Sequence, residues 1–562
     1  MFSRLVRLSA LALVLAVPAA RADDKKADAK PGEPALLIRV QAINDLLKTA
    51  EYVRTLIPGE QGDQFELGYK ALEAFIDKDK GSIEGIDVKN PIGLYVTFGE
   101  ELNLATPPAV LLVPIADQDA ILAALKERLM LKVEKEKDDV YKVAELPNIP
   151  LPVYFRFANK YAYVTLGDPQ NIDPKALPKP ADVLGGRPEH LISATFRIDR
   201  LPDAMKKMAL AGIENALAQG KEQPIPNETK AVKEFKEKGI DELATNLKEL
   251  LDGGEQVALR LNVDAKAEEV AFEIELSGKK GSKLAKDIMS IREHKSVVGG
   301  ALASKDAALT VNLSVGLPAS LKPLLPPVVD DVLEQVKKEG KIPGEIQTKA
   351  EPLVKALLPT VKGGELDLGV AMIGPDKDDH YTFVAGLKLV DGRKLEATIK
   401  DSVKKDLPPE YSGLVQFDTE KLAGGASLHV VKIADQIDEK GQKVLGKSDL
   451  YLAFREDLLV AAVGPGAKDA IKRAIASQPA DVGVLNVQVA LSRIVPIMGD
   501  NAQELAAAKA AAEKVFGKGG SQADTIRFSI EGGDSLKVKA AAKGKAIRFL
   551  AEVGSAQKGK DQ

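Results

Sequence analysis

The chain has 562 residues, with 78 Lys+Arg against 82 Asp+Glu, four His, no Cys and no Trp, for a formal net charge of −4. That length provides for roughly two to four domains with ample core. The missing cysteines exclude disulfides, thiolate zinc sites, iron–sulfur clusters, thiol nucleophiles and a lipobox-type lipid anchor, and the balanced charge leaves no electrostatic footprint for nucleic acid.

Residues 1–22 have the three parts of a secretory signal. Arg4 and Arg7 precede the apolar run Leu8 to Val17, and Ala20-Arg21-Ala22 follows as a small–x–small cleavage pattern. The run is too short for a helix across a bilayer core of about 30 Å. Cleavage after Ala22 leaves 75 positive against 82 negative charges, a net −7. No later stretch reaches about 18 uninterrupted apolar residues, so no transmembrane segment is expected in the mature chain. An exported protein without cysteine fits a bacterial envelope better than an animal extracellular fluid. Residues 23–34 (DDKKADAKPGEP) are charged, bear Pro and Gly, and read as a disordered tether.

Ala35 to Val40 (ALLIRV) opens the first strand. Asp117 follows the strand-like AVLLVPIA and precedes a helical pattern, the place of an N-cap. Tyr154, Phe155, Phe157, Tyr161 and Tyr163 gather the scarce aromatics on one predicted hairpin. Thr229 to Leu251 is predicted helical, with Val232, Phe235, Leu243, Leu247 and Leu250 inward and Gly253-Gly254 as its stop. Val257 to Val263 and Val270 to Leu276 alternate apolar and polar residues as an antiparallel hairpin, wet on one face. Gly299-Gly300 marks a joint. Pro326-Pro327 opens a helix striped by Val328, Val329, Val332, Leu333 and Val336 and closed by Gly340. Asp391 is a second N-cap, Gln503 to Phe516 an alanine-rich helix, and Ile526 to Val538 a second hairpin turning at Gly532-Gly533.

These elements recur in order. Val153 to Gly167 aligns without a gap to Leu450 to Gly464, bringing Tyr154 onto Tyr451 and Phe157 onto Phe454, an offset of 297. ALLIRV matches Ala308 to Leu313 (offset 273), Val113 to Asp117 matches Leu387 to Asp391 (274), and Asp199-Arg200-Leu201 matches Ser492-Arg493-Ile494 (293). Ordered matches of this kind indicate an internal repeat. The expected organisation is a first α+β lobe over 35–295, a second over 305–555 repeating it, and a disordered tail at 556–562. The fold class is α+β, tandem duplicated lobes, each with one-sided antiparallel β-sheets covered by α-helices. Leu452, Phe454, Leu458 and Val460 stand in the sister copy for Phe155, Phe157, Tyr161 and Tyr163, which marks those positions as core. Tyr154 and Tyr451, beside Arg156 and Ala453, lie on the opposite strand face, where the two options are contact with a ligand and packing between layers, and packing is the expectation.

Motifs with chemistry are few. Gly441 to Ser448 (GQKVLGKS) satisfies the phosphate-loop spacing, but that chemistry needs a following helix, and Asp449 to Phe454 alternates as a strand. Asp77-Lys78-Asp79-Lys80-Gly81 and Asp376-Lys377-Asp378-Asp379 begin like calcium loops and lack the glycine and glutamate that complete one. His190, His294, His380 and His429 each stand alone in their segments, so a zinc site would have to be assembled across the fold. No catalytic, cofactor-binding or metal residue is assigned, and no cofactor is implied.

The signal, the cysteine-free body, and the stretches GIDVKNPIGLYV (Gly85 to Val96) and AVLLVPIAD (Ala109 to Asp117) resemble large exported proteins of planctomycete bacteria, in families known as domains of unknown function. The resemblance covers most of the mature chain. It implies a periplasmic or secreted setting and carries no activity. The leading expectation is a non-enzymatic binding or scaffolding protein. A carrier of a lipid or other apolar ligand, and a carboxylate-dependent envelope glycan or peptide hydrolase, are the alternatives.

Overall fold

A computed structural model of the chain describes residues 33–57, 82–98, 108–143, 151–175, 177–186, 188–223, 228–338, 344–499, 501–517 and 522–558, with isolated positions between 59 and 70 and at 225. The expected signal segment, all but the last two residues of the tether, Asp77 to Gly81 and residues 559–562 lie outside them. The chain divides into two compact units, Met1–Leu46 with Leu72–Met205, and Leu47–Ala71 with Lys206–Gln562. Each is α+β with antiparallel strands. The division falls inside the first helix, α1 (Ile43–Leu56).

The first unit contains β1 (Leu36–Val40), a two-residue hairpin of β2 (Ser82–Ile83) and β3 (Ile86–Asp87), β4 (Ile92–Val96), β5 (Ala109–Pro114), α2 (Gln118–Ala123), β6 (Val133–Lys135), β7 (Val140–Val143), β8 (Val153–Ala158), β9 (Tyr161–Leu166), α3 (Pro180–Leu184) and β10 (Ile192–Arg197). Its sheet runs β10-β1-β4-β5-β9-β8-β7-β6. One face packs as Tyr95, Val110, Leu112, Tyr154, Tyr161 and Tyr163 against Ile172, Val183 and Leu184. Tyr154 is therefore a packing residue, as expected. Tyr161 and Tyr163 share its face, whereas Phe155 and Phe157 join Tyr141, Leu122 and Leu125 on the other. The two-residue turn Asn159-Lys160 causes this: it sets Arg156 opposite Tyr163 and Phe155 opposite Val164.

The second unit contains α4 (Asp203–Glu222), α5 (Lys230–Gly253), β11 (Gly254–Asp264), β12 (Glu269–Gly278), α6 (Lys283–Glu293), α7 (Val297–Leu302), β13 (Ala307–Gly316), α8 (Leu325–Lys338), α9 (Gly344–Lys362), β14 (Glu365–Ile373), β15 (Thr382–Lys388), α10 (Gly392–Asp406), β16 (Val415–Lys421), β17 (Ser427–Val431), α11 (Glu439–Leu445), β18 (Leu450–Phe454), β19 (Leu458–Val463), α12 (Ala467–Ala476), β20 (Leu485–Ala490), α13 (Leu491–Ile494), α14 (Ala502–Phe516), β21 (Thr525–Glu531), β22 (Leu536–Lys543) and α15 (Gly544–Lys558). Its sheet runs β11-β12-β22-β21-β20-β13-β14-β15-β19-β18-β17-β16.

Over β14, β15, β18 and β19 one sheet face is sealed by α7 and α12, with Val298, Leu302, Ile471 and Ile475 against Ala371, Val384, Val460 and Ala462. Gly299-Gly300 lies inside α7 and is no linker. A Cβ on Gly300 would stand 1.9 Å from the Gln478 carbonyl oxygen, so glycine is required by close packing. Asp367 anchors this helix from within the sheet. Its buried carboxylate accepts the Ser296 hydroxyl at 2.6 Å and the Val297 N–H at 2.8 Å.

Both aspartate caps form as expected: Asp117 accepts the Ala120 N–H and Asp391 the Lys394 N–H, each at 3.0 Å. Helix α5 starts at its Thr229 cap, but its apolar stripe stays half-open. Leu243 is 47% exposed, and no residue of α4 or α5 is buried.

Candidate functional site

The other face of the second unit's sheet has an unusual composition. Directly opposed residues of antiparallel neighbours share a face, so the registers trace continuous rows from β11 to β18. One row runs Leu259, Ile274, Val538, Ile530, Leu485, Leu313, Leu368, Leu387, Leu459, Phe454. The next runs Leu261, Phe272, Ala540, Phe528, Val487, Val311, Val370, Ala385, Ala461, Leu452, and the third runs Val263, Val270, Ala542, Ile526, Val489, Leu309, Met372, Phe383, Val463, Leu450. No polar side chain interrupts the three rows. Ten strands at about 4.8 Å spacing make them about 43 Å long.

This apolar face is not packed as a core. Of its residues only Met372 and Phe454 are fully buried, while Leu259, Phe272, Val370 and Phe383 are 38–44% exposed. Helices cover part of it: α9 and α10 place Ala356, Leu395 and Ile399 on Leu387, Leu452 and Leu459 at the β18 end, and α14 and α15 lie on Val489 and Ile526 of β20 and β21 in mid-sheet. Outside those clusters, Leu261, Phe272, Phe528, Val487, Val311 and Val370 belong to no buried cluster. The reverse face over β11, β12 and β22 is charged and wet, with Arg260 paired to Glu273 and Glu275, and Lys539 opposite Glu273.

One polar cluster ends the middle row. Leu452 is opposed to His429 of β17, which is 1% exposed and lies edge-on to Phe417. Helix α10, held by Leu395 and Ile399, brings Glu396 and, one turn on, Lys400 over it. A bulge in β16, with Asp418 at φ 54°, turns the Asp418 N–H onto His429 Nδ1 at 3.2 Å. Lys400 Nζ donates to Glu396 Oε1 at 2.7 Å and to Asp418 Oδ1 and Oδ2 at 2.9 and 3.0 Å, and Arg393 donates to Glu396 Oε2 at 3.1 Å.

The electrostatics follow from these contacts. Burial alone would raise the Glu396 carboxyl, but the Lys400 and Arg393 hydrogen bonds hold it below the usual carboxylate range. The Lys400 hydrogen bond likewise holds Asp418 low. Desolvation lowers His429 and outweighs the pull of Glu396 towards the charged form.

Glu396, Asp418 and His429 present ligand atoms within 4.8 Å of one another, a donor set for a divalent cation. Two features oppose that use. The Lys400 ammonium already bridges both carboxylates. His429 Nδ1 accepts an N–H, which leaves the ring proton on Nε2, the atom facing Glu396. The cluster is a lysine-centred ion network closed by a neutral histidine. Sequence reasoning treated His429 as one of four isolated histidines and missed it; its alternation with Leu428 and Val430 was the only local sign that it shares a face with apolar rows.

Other candidates resolve into structure. Gly441 to Leu445 belongs to α11, and Gly446 at φ 62° ends that helix before β18. The GQKVLGKS segment is thus helix-then-strand, the reverse of a phosphate loop. Asp376 Oδ1 accepts the N–H groups of Asp378 and His380 at 2.8 and 2.9 Å, an exposed turn. A cleft of about 300 Å³ has Val495, Pro496, Ala512 and Phe516 in its lining, with Asp379, Lys509 and Glu513. Asp379 pairs there with Lys509 at 3.7 Å. No helix among the described residues is long and apolar enough to cross a membrane. No family model, curated protein or solved structure matches the chain.

Proposed function

We propose that this chain is an exported, non-enzymatic carrier that holds an acyl-chain or similarly apolar ligand along the open sheet face of its second unit. The observation carrying this reading is the set of three uninterrupted apolar rows left partly exposed outside two helical clusters. Patches beyond a few hundred Å² are rarely left open on a monomer without a partner. A protein partner would need polar partners on the face, since protein interfaces carry about one hydrogen bond per 100–200 Å². Hydrocarbon needs none.

A tandem α+β duplication, two lobes over 35–295 and 305–555, belongs to the same proposal. Its support is the pairing order. β1 pairs with β4 and β10, β4 with β5, β5 with β9 and β9 with β8. β13 pairs with β14 and β20, β14 with β15, β15 with β19 and β19 with β18. The registers keep the sequence offsets: Tyr163 opposes Leu112 and Arg156, and Val460 opposes Gly386 and Ala453. Where the second copy has Glu396 and His429, the first has Leu122 and Tyr141, so the polar cluster breaks the repeat. Export to a bacterial envelope, as in the planctomycete proteins the sequence resembles, rests on residues 1–22.

The test is native mass spectrometry of the purified full chain, followed by titration of the delipidated protein with a fluorescent fatty-acid analogue. Co-purifying lipid and saturable probe binding are expected. A clean apo mass together with no saturable uptake overturns the carrier.

A further inference from the structure

We infer that helix α5 of the second unit is the lid of the apolar face, closing over a bound hydrocarbon chain and setting how slowly it leaves. The inference rests on the carrier reading and adds the element that governs release. The helices of this unit form a row. α10 and α9 rest on the apolar face, α8 is tied to α9 by Asp330 and Lys362 at 2.7 Å, and α5 lies against α8. Helix α5 then runs directly into β11, the strand that carries Leu259, Leu261 and Val263 of the three rows.

Burial falls away along this row. α9 and α10 bury Ala356 and Leu395, whereas no described residue of α8 and none of α5 is buried. Yet α5 carries the apolar stripe Val232, Phe235, Leu243, Leu247 and Leu250, which a helix ordinarily spends on a core. A 24-residue helix without that burial draws little stability from packing. Polar contacts hold it instead. At its C-terminal end Lys279 donates to the Asp252 carbonyl and Lys283 to Glu249, each at 2.7 Å, and Lys221 of α4 pairs with Asp241. These contacts are exposed and individually weak, so displacing the helix costs little.

Its counterpart in chain order is closed. α4 and α5 lie between β10 and β11 as α13 and α14 lie between β20 and β21. α14 buries Ala508, Val515 and Phe516 in the cluster that takes in Val489 and Ile526 of the apolar face. The strand that follows α5 instead leaves Leu259 41% exposed, and its neighbour β12 leaves Phe272 44% exposed. Helix stripe and strand face are therefore both half-open, where the second copy has joined them. An acyl chain laid along the rows supplies the missing layer, since it can touch both surfaces and asks for no hydrogen bond from either.

The experiment uses the delipidated full chain and the fluorescent fatty-acid analogue. Saturating probe is expected to slow backbone hydrogen exchange over residues 230–253 by about fivefold or more. Leu243→Glu, at a side chain already 47% exposed, should leave the thermal midpoint within about 2 °C of the wild type. It should nevertheless release the probe about fivefold faster or more in stopped-flow chase, because a carboxylate then faces the hydrocarbon. Leu243→Met should release it at the wild-type rate. A merely structural role for Leu243 would move the midpoint rather than the release rate. Saturable uptake with unchanged exchange in α5, or with wild-type release from Leu243→Glu, overturns the lid and leaves the carrier standing. No uptake by the wild type removes the carrier and the lid with it.

Discussion

His429 Nε2 lies 3.1 Å from Glu396 Oε1 but outside hydrogen-bond geometry, and both residues are buried where β17 meets α10. The histidine is held neutral by desolvation and by an N–H directed at its other nitrogen. Its neighbours on every packed element are Glu396, Lys400 and, through Glu396, Arg393 from α10, Asp418 and Phe417 from β16, and the apolar Leu452 and Phe454 from β18.

That arrangement makes stability pH-dependent with a definite sign. A histidine lowered in the folded state protonates first in the unfolded chain, so stability is present above about pH 6.5 and is lost as pH falls below it. Glu396 and Asp418, also lowered, extend the loss below about pH 4.5. One proton per molecule contributes at most about 1.4 kcal/mol per pH unit. The urea midpoint of His429→Gln should therefore change less than that of the wild type between pH 7 and 5.5. Equal losses in both proteins would assign the effect elsewhere.

Lys400→Met removes the cation shared by Glu396 and Asp418. Arg393 still donates to Glu396, so the loss should stay below about 3 kcal/mol, the cost of a fully unpartnered buried carboxylate. Adding Glu396→Leu, which removes the carboxylate that Lys400 had paired, should restore more than half of that loss. Chemical denaturation of the single and double variants measures the coupling.

Charge placed on the two faces of β14 and β15 should behave oppositely. Val370→Asp, at a side chain 43% exposed, should cost less than about 1.5 kcal/mol and lower fatty-acid probe affinity at least tenfold. Val384→Asp, on the face sealed by α7 and α12 and 4% exposed, should prevent folding, because it buries an unpaired charge. Probe titration and circular dichroism separate the two outcomes. Undiminished probe binding by a folded Val370→Asp protein would move the ligand off this face.

Asp117→Ala and Asp391→Ala should each cost about 1 kcal/mol, since each aspartate caps a helix that follows a strand. Asp367→Asn should cost more. Its carboxylate is 2% exposed and receives the Ser296 hydroxyl and the Val297 N–H, and an amide cannot accept both equally well. Thermal melts of the three variants give the order directly.

Much of this molecule is local and was therefore legible in the residues. Alternation placed Val257 to Val263 and Val270 to Leu276 on a hairpin, where Leu261 does oppose Phe272. Thr229, Asp117 and Asp391 announced their helices, because a cap is a contact made within a few residues. The period of two also told which residues of a strand share a face. It could not tell whether that face would be covered. Phe272, read as an inward residue of an alternating strand, is 44% exposed, whereas Val384 is 4% exposed because it lies under α7 and α12. Gly299-Gly300 looked like a joint for a similar reason: glycine permits a turn and equally permits two backbones to approach, and the nearest atom, the carbonyl of Gln478, is remote in sequence. Glu396, Asp418 and His429 come from a helix and two strands, and their chemistry exists only where α10 settles on the sheet. Short-range sterics and periodicity wrote the elements into the sequence. The open apolar face and its polar end were decided by long-range packing.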